Sequence, residues 1–346
     1  MAKNANLNRA KDAKMDEFYT RREDIEAELS HYANHFRDKV VYCNCDDPQW
    51  SEFWQFFMRN FKPWGLKKLI ATHYEPDEKN YAYKLEICED TNGDGVVDWK
   101  DEPTITQIPC NGDFRSQVCI DLLKEADIVV TNPPFSLFRE YIAQLMEYEK
   151  KFLVIGPMGS ITYKEIFPLF SEGKIWIGYT YPKIFRVPDN TDGKSVYKEG
   201  GITYQKFGNI QWFTNLDIPK RHKTLDLRGN YYREGNFPKY VNYDGIEVKN
   251  IGDMPCDYEG AMGVPVSFLR DYNPNQFELL GTSLELATPM RLLYEKGSFS
   301  PGGNRFYTDA LTENDIKNGY KYHRGYDRIA VKLKNPESRR YPDDED

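Results

Sequence analysis

Asp127-Ile128-Val129-Val130-Thr131-Asn132-Pro133-Pro134-Phe135 is the stretch on which the reading of the whole chain turns. Its apolar run has the composition of a buried strand and stops abruptly at Asn-Pro-Pro-Phe. Two consecutive prolines fix φ and remove two backbone donors, so the carbonyl groups point outward as acceptors and no ladder can continue. The sequence therefore predicts a strand that ends at a rigid, exposed corner. Asn132 adds a side-chain carbonyl beside the main-chain carbonyl of Pro133, and Phe135 adds a flat apolar face.

That set suits an amino group on an aromatic ring. An exocyclic amine such as N6 of adenine delocalises its lone pair into the ring and is a poor nucleophile. Hydrogen bonds from the amine to Asn132 and to the Pro133 carbonyl favour a more tetrahedral nitrogen that can attack a methyl group, while Phe135 stacks on the ring. The alternative is a strand followed by a plain Pro-Pro turn, and the rest of the chain has to decide between them.

A chain of 346 residues with 40% hydrophobic residues can bury a substantial core in one large or two modest domains. Its 25 Tyr and 20 Phe suit either an aromatic core or a surface that stacks on a ligand. A formal net charge of -8 argues against attachment to nucleic acid by bulk electrostatics, so a basic patch would have to be local. The six cysteines show no Cys-x-x-Cys spacing for zinc, and no signal peptide or membrane span is recognisable. A cytoplasmic protein with reduced thiols is expected.

Upstream of the corner, a basic arm with Lys3, Arg9, Lys11 and Lys14 reads as a solvated terminus or a tail that touches phosphates. Asp16-Glu17-Phe18-Tyr19-Thr20 then opens into an amphipathic helix with Ile25 and Leu29 on one face, and Thr20 is placed to cap it or to bind a ligand's carboxylate. A first strand, Val40 to Cys45, ends at Asp46-Asp47-Pro48; a helix from Trp50 to Phe61 follows, then a strand from Leu66 to Thr72 that ends at His73-Tyr74-Glu75. Strand, helix, strand at this spacing is the first half of a doubly wound sheet, whose ligands sit beyond the carboxyl ends of the strands. Asp46, Asp47 and Glu75 there suit ribose or amine contacts, or are ordinary polar loop residues.

Residues 77–110 read as an inserted hairpin. Its tip sets oxygens at Asp90, Asn92, Asp94, Asp98 and Asp101, positions 1, 3, 5, 9 and 12 of a twelve-residue loop with Gly95 at position 6. This is the ligand order of a calcium-binding EF-hand loop, with Asp in place of the usual final Glu and no flanking helices; a polar hairpin tip is the competing reading. Beyond it, Asp113 can accept from an amino group while Phe114 covers a ring, although Asp in a Gly-containing turn is also ordinary turn chemistry. Helices at 116–124, 138–149 and 161–170, with strands at 151–155, 174–179 and 210–215, complete an α/β sheet that ends in an antiparallel pair.

The motifs Asp16-Glu17-Phe18-Tyr19-Thr20, Val40 to Pro48, Gly112 to Ser116, Asp127 to Phe138, Ser160 to Glu165 and Met262 to Pro265 together resemble, in the same order, the EcoRI-type adenine-specific DNA methyltransferases. The resemblance covers roughly residues 15–280. It implies transfer of a methyl group from S-adenosylmethionine to N6 of adenine in double-stranded DNA, on a Rossmann-like class I methyltransferase sheet with a C-terminal target-recognition region. Residue by residue, it implies that Asn132, Pro133, Pro134 and Phe135 hold a flipped adenine, that Phe18 and Thr20 pack on and anchor the methionine end of the cofactor, and that Asp113 and Phe114 lie beside the cofactor's adenine. The first strand lacks a Gly-x-Gly, so which of Asn44, Asp46 and Asp47 touches the cofactor stays open.

The corresponding organisation is a catalytic domain over residues 1–220 and a recognition region over 221–346. In the latter, Lys220, Arg221, His222 and Lys223, then Arg228, Tyr231, Tyr232, Arg233 and residues 239–243, suit phosphates and base edges, or are solvated loop charges. Arg186 is expected in a loop that faces the same groove, and the acidic ending 342–346 reads as a solvated tail. The expected partner is duplex DNA, with a cognate restriction endonuclease as a second candidate and no membrane. Proline-cornered sites also serve RNA bases and protein glutamine, and a catalytically silent DNA-binding module is the non-enzymatic alternative.

Overall fold

The computed structural model describes residues 18–337 apart from 46, 50, 76–80 and 236; the basic arm, Asp46 and the acidic ending lie outside the described residues. The chain divides into two compact units, residues 1–160 with 175–218 and residues 161–174 with 219–346.

The first unit contains β1 (Tyr19–Thr20), β2 (Val40–Cys43), β3 (Lys68–Thr72), β4 (Tyr83–Ile87), β5 (Thr104–Gln107), β6 (Ile128–Thr131), β7 (Lys151–Pro157), β8 (Trp176–Ile177), β9 (Ile184–Arg186), β10 (Val196–Glu199), β11 (Ile202–Lys206) and β12 (Ile210–Thr214). An eight-stranded mixed sheet runs in the order β5, β4, β3, β2, β6, β7, β12, β8. Its centre, β3 through β7, is parallel, and the strands on either side are antiparallel. Every residue of β2 and β6 is buried, which is why both read as continuous apolar runs rather than as alternating ones. At the edge, every residue of β5 is exposed, as the far strand of the inserted hairpin.

Helix Glu52–Trp64 begins where the Ser51 hydroxyl accepts from the Phe53 amide at 3.1 Å and ends at Gly65, whose φ of 65° only glycine adopts without strain. It buries Phe53, Trp54, Phe56, Phe57 and Phe61 in a core shared with Ile25, Leu29, Phe36 and Trp212. The expected helix over 161–170 is instead a 3-10 turn at Met158–Thr162 and a short helix at Phe167–Ser171. Pro168 explains the start, because proline fits only in the first turn of a helix.

A second, antiparallel sheet, β1, β9, β11, β10, was not legible in the sequence. It corrects the placement of Arg186, which is not in a loop but closes β9, opposite Tyr19 of β1. Helix Arg22–Leu29 follows β1 and carries Glu28, a fully buried carboxylate. Glu28 accepts from the Tyr32 hydroxyl at 2.7 Å, the Tyr179 and Thr180 amides at 2.8 and 2.6 Å, and the Thr180 hydroxyl at 2.7 Å. Burial pushes its pKa up, against those four hydrogen bonds, and the set ties the helix to the segment after β8.

The second unit holds β13 (Ile246–Glu247), β14 (Met262–Pro265), β15 (Phe277–Thr282), β16 (Tyr307–Thr308), β17 (His323–Arg324) and β18 (Arg328–Leu333). The order β13, β14, β18, β15 puts the C-terminal strand in the interior of a sheet. Arg328 on it donates to Glu247 at 2.9 Å, and Glu247 also accepts from the Tyr240 hydroxyl. Tyr240 is buried, and Tyr243 stacks on Phe306 with centroids 4.5 Å apart. These two tyrosines, expected among contacts to base edges, serve the core of this unit.

Candidate active site

Parallel strands end on one side, so Asn44 after β2, His73 after β3, Asn132 after β6 and Met158 after β7 share the carboxyl edge of the large sheet. The turn after β2 carries Cys45 at φ 62°, a left-handed backbone uncommon for a side chain with a Cβ. Asn44 is almost wholly buried; its main-chain carbonyl accepts from the Thr131 hydroxyl and its side-chain carbonyl from the Tyr141 hydroxyl. The ends of β2 and β6 are thereby fastened to each other.

The Asn-Pro-Pro-Phe corner lies where the sequence put it, at the end of β6, but it is not exposed. Asn132 and Phe135 are each 8% exposed. Phe18 covers them: its ring stacks on Phe135 with centroids 5.6 Å apart and planes at 28°, and its main-chain carbonyl accepts from the Asn132 side-chain amide. Phe207 and Phe185 meet Phe18 edge-on at 4.8 and 6.5 Å. With the Asn132 amide nitrogen held this way, Oδ1 is fixed in orientation, buried, and without a hydrogen-bond partner among the described residues. Thr20, two residues beyond Phe18, likewise keeps a buried hydroxyl with no partner among the described residues. It does not cap helix Arg22–Leu29, whose N-cap is Arg21 with no side-chain cap.

A second cluster forms beside β3. His73 Nδ1 lies 3.2 Å from Asp47 Oδ2, and its Nε2 lies 3.6 Å from Glu75 Oε2. The imidazole stacks on Tyr83 at 4.9 Å, and the Tyr83 hydroxyl donates to Asp47 at 3.2 Å. The Asp47 carboxylate beside the ring raises the pKa of His73 despite partial burial, whereas burial of Asp47 is outweighed by the neighbouring imidazole and the hydrogen bond from the Gln49 amide, leaving its pKa lowered. The 111–114 loop closes on this cluster. The Glu75 amide donates to the Asn111 carbonyl at 2.8 Å, and a Cβ on Gly112 would fall 2.0 Å from the His73 carbonyl oxygen, so only glycine fits there.

Asp113 and Phe114 follow in the same loop. Arg115 donates to both Asp113 oxygens at 2.9 and 2.6 Å, which holds this carboxyl below its usual range and fixes its orientation. Phe114 is buried edge-on against Tyr141 at 5.1 Å. His73, Tyr83, Tyr141 and Phe207 were not singled out from the sequence, because each enters through a contact between separate segments of the chain, and Arg115 was passed over although its partner Asp113 is only two residues away.

The calcium reading of residues 90–101 finds no support. Asp90 accepts from the Gly93 and Gly95 amides, Asn92 from Asp94, Asp94 from Val96, and Asp98 from Lys100, all at 2.6 to 3.0 Å. Asp101 accepts from the Thr91, Asn92 and Asp98 amides. The side chains thus act as Asx-type braces of a polar turn, whose oxygen spacing imitates an ion-binding loop. Among the described residues no group of three or more His, Cys, Asp or Glu side chains is placed to hold a metal ion.

Arg221 and His222 belong to the 3-10 turn Pro219–His222 of the second unit, with Lys223 just after it; His222 and Lys223 are exposed. Arg228 pairs with Asp226 at 3.0 Å on the surface. No helix among the described residues is long and apolar enough to cross a membrane.

A mixed α/β sheet with a braced acceptor corner at the end of a central parallel strand is an arrangement suited to a group-transfer enzyme, and comparison with known proteins specifies which kind. The chain belongs to the family described as adenine-specific methyltransferase EcoRI, whose model matches residues 6–334, and it is accordingly a methyltransferase. The type II methyltransferase M.EcoRI of Escherichia coli is 46% identical over 298 residues, covering 81% of this chain and 90% of that relative. The type II methyltransferases M.MpnI of Mycoplasma pneumoniae and M.MgeORF184P of Mycoplasma genitalium are 40% and 38% identical, each covering 94% of this chain and 97% and 98% of their own lengths. No solved structure matches the chain significantly.

Proposed function

We propose that the protein transfers a methyl group from S-adenosylmethionine to N6 of adenine within a specific double-stranded DNA sequence, on a Rossmann-like sheet, with the target base turned out of the duplex into the Asn132–Phe135 corner. The observation that carries this reading is the buried Asn132 Oδ1, which has no partner among the described residues while its own amide nitrogen is held by the Phe18 carbonyl. Buried polar groups are almost always paired, so an orphaned acceptor fixed in orientation points to a donor that arrives with a ligand. An aromatic amine is that donor. Oδ1 and the Pro133 carbonyl accept from it and localise its lone pair, and because Phe18 holds the amide, no rotation is needed as the bonds tighten. The aromatic wall of Phe135 and Phe18 offers the extruded base a stacking surface in exchange for the stack it leaves.

The residues along the edge fit the cofactor. The unpartnered Thr20 hydroxyl is available to a carboxylate, Asp47 and Glu75 around His73 suit ribose hydroxyls, and Phe114 with the Arg115-oriented Asp113 suits an adenine ring and its amine. Asn44, tied up by Thr131 and Tyr141, shapes the turn. S-adenosylmethionine, when bound, supplies an electrophilic methyl on sulfonium.

In this reading the second unit, residues 221–346 in particular, recognises the target, and Arg221, His222 and Lys223 meet phosphates. The relatives' type II names support a place in a restriction-modification system, and the proposed setting is the cytoplasm, with an endonuclease for the same sequence as partner. Incubation with labelled S-adenosylmethionine and duplex DNA, structured RNA or glutamine peptides, followed by nucleoside mass spectrometry, is the test. N6-methyladenine confined to one duplex sequence is expected; label in RNA or peptide, and none in DNA, overturns the proposal.

A further inference from the structure

We propose that the outer face of the sheet β1, β9, β11, β10 is a contact platform for the sugar-phosphate backbone of the duplex next to the target base. This rests on the reading above that the substrate is duplex DNA.

The pairing register places Tyr19 opposite Arg186, Arg186 opposite Tyr204, and Tyr204 opposite Tyr197. Residues directly opposed in antiparallel strands project on one face, so these four make a row across all four strands. The adjacent row is Thr20, Phe185, Gln205 and Val196, with Thr20 and Phe185 buried toward the corner. The Tyr19 row therefore faces away from it. Tyr197 and Tyr204 stack with centroids 5.7 Å apart and planes at 27°, and Lys206, on the same face two residues beyond Tyr204, sets its ammonium 5.2 Å from the Tyr197 ring. Arg186 and Lys206 are both exposed. Glu199 shares the face but lies at the far tip, beside the Gly200-Gly201 turn.

Three features make phosphodiester the fitting partner. Two cations and three phenols, groups that bond phosphate oxygens, occupy one face of a chain whose net charge is -8. Strands about 4.8 Å apart spread the row over about 14 Å, on the order of four base-pair rises of 3.4 Å. The platform is also fastened to the corner: Phe185, from its buried row, and Phe207, one residue past β11, both pack on Phe18, whose carbonyl orients Asn132. A backbone gripped on this outward face is linked to the acceptor through Phe18.

The test uses the full chain with Arg186→Gln, Lys206→Gln, the double variant, and Tyr197→Ser, titrated by fluorescence anisotropy with labelled duplexes that contain or lack the target, between 50 and 200 mM salt. Each lost cation should lower the slope of log affinity against log salt by about 1, and the double variant should bind every duplex about tenfold or more weakly. Tyr197→Ser should weaken binding with little change in slope. Melting curves and calorimetric cofactor affinity equal to those of the parent show that the fold is intact. Unchanged affinity and slope in the double variant, with the parent binding duplex, overturn the platform alone; a parent that binds no duplex overturns the substrate reading instead.

Discussion

Replacing Asn132 by alanine removes two interactions that the structure separates, and their magnitudes can be set against each other. The amide nitrogen donates to the Phe18 carbonyl, a bond worth about 1 kcal/mol net, with 1–3 kcal/mol at stake if that carbonyl is left buried without a donor. Oδ1 is buried and unpartnered, so deleting it relieves a desolvation cost of similar size and opposite sign. Stability should accordingly change by no more than about 1–2 kcal/mol. The chemical step has no such compensation. A preorganised group that acts on charge developing at the reacting centre is worth about 2.7–4 kcal/mol, so single-turnover methyl transfer with enzyme and cofactor saturating should fall about 10²–10³-fold. Calorimetric affinities for S-adenosylmethionine and duplex should stay within about threefold of the parent's. Asn132→Asp sharpens the test: it keeps an acceptor but sets a carboxylate against the Phe18 carbonyl, so it should melt below Asn132→Ala. A rate loss under about tenfold for Asn132→Ala, equivalent to about 1.4 kcal/mol, refutes the assignment of Oδ1 to the amine.

Four further outcomes are expected. Thr20→Val, which keeps the shape and removes a buried hydroxyl without a partner, should weaken cofactor binding in calorimetry while leaving Tm unchanged or raised; a clear fall in Tm contradicts the orphaned state. Because Asp47 raises the pKa of His73, their contact contributes stability that is full below the unfolded imidazole value of about 6.5 and fades as pH rises through the folded value, so the Tm gap between parent and His73→Gln should be wider at pH 6 than at pH 8.5; a gap that widens with pH contradicts the pairing. Asp94→Ala should shift Tm equally in calcium buffer and in chelator, since its carboxylate braces the Val96 amide; a shift confined to calcium buffer would reinstate the ion. Phe135→Ala should weaken duplex binding and lower the fluorescence rise of 2-aminopurine at the target position, and a mismatch opposite the target should restore part of the affinity, which identical behaviour on matched and mismatched duplexes would exclude.

What was legible in the sequence is what local chemistry determines. The strand over 128–131 and its stop are visible because β-branched residues and two prolines act within a few positions, and the central strands show as continuous apolar runs because both of their faces are buried. The second sheet was invisible: β1 has two residues and β9 three, too few to carry an alternation, and what makes them strands is pairing between residues more than 160 positions apart. Exposure of the corner was misread for the same reason, since Phe18 arrives from 114 positions away to cover Asn132. At the hairpin tip the sequence left two readings open, and the turn is the one the structure shows. Asp and Asn at alternate positions brace a turn through their neighbours' amides with the same spacing that would ligate an ion, and sequence alone does not distinguish the two uses.

The unpartnered atoms around Phe18 form a complementary pair. Among the described residues, other buried polar atoms of the first unit, such as His73 Nδ1, Ser160 Oγ and Trp212 Nε1, also lack hydrogen-bond partners, but Thr20 Oγ1 and Asn132 Oδ1 are both tied to one short segment. The hydroxyl can donate and the amide oxygen can only accept, so the first suits an anion and the second an amine. Phe18 stands between them, two residues from Thr20 in the chain, bonded to Asn132 through its carbonyl and packed on Phe135 and Phe207 through its ring. A ligand that fixes Thr20 therefore restricts Phe18, and with it the orientation of the Asn132 amide. On the reading proposed above, a carboxylate on Thr20 and an amine on Asn132 would each favour the arrangement the other requires. Binding of cofactor and target base should then be cooperative, and equally so in either order of addition, because a coupling free energy between two sites is reciprocal.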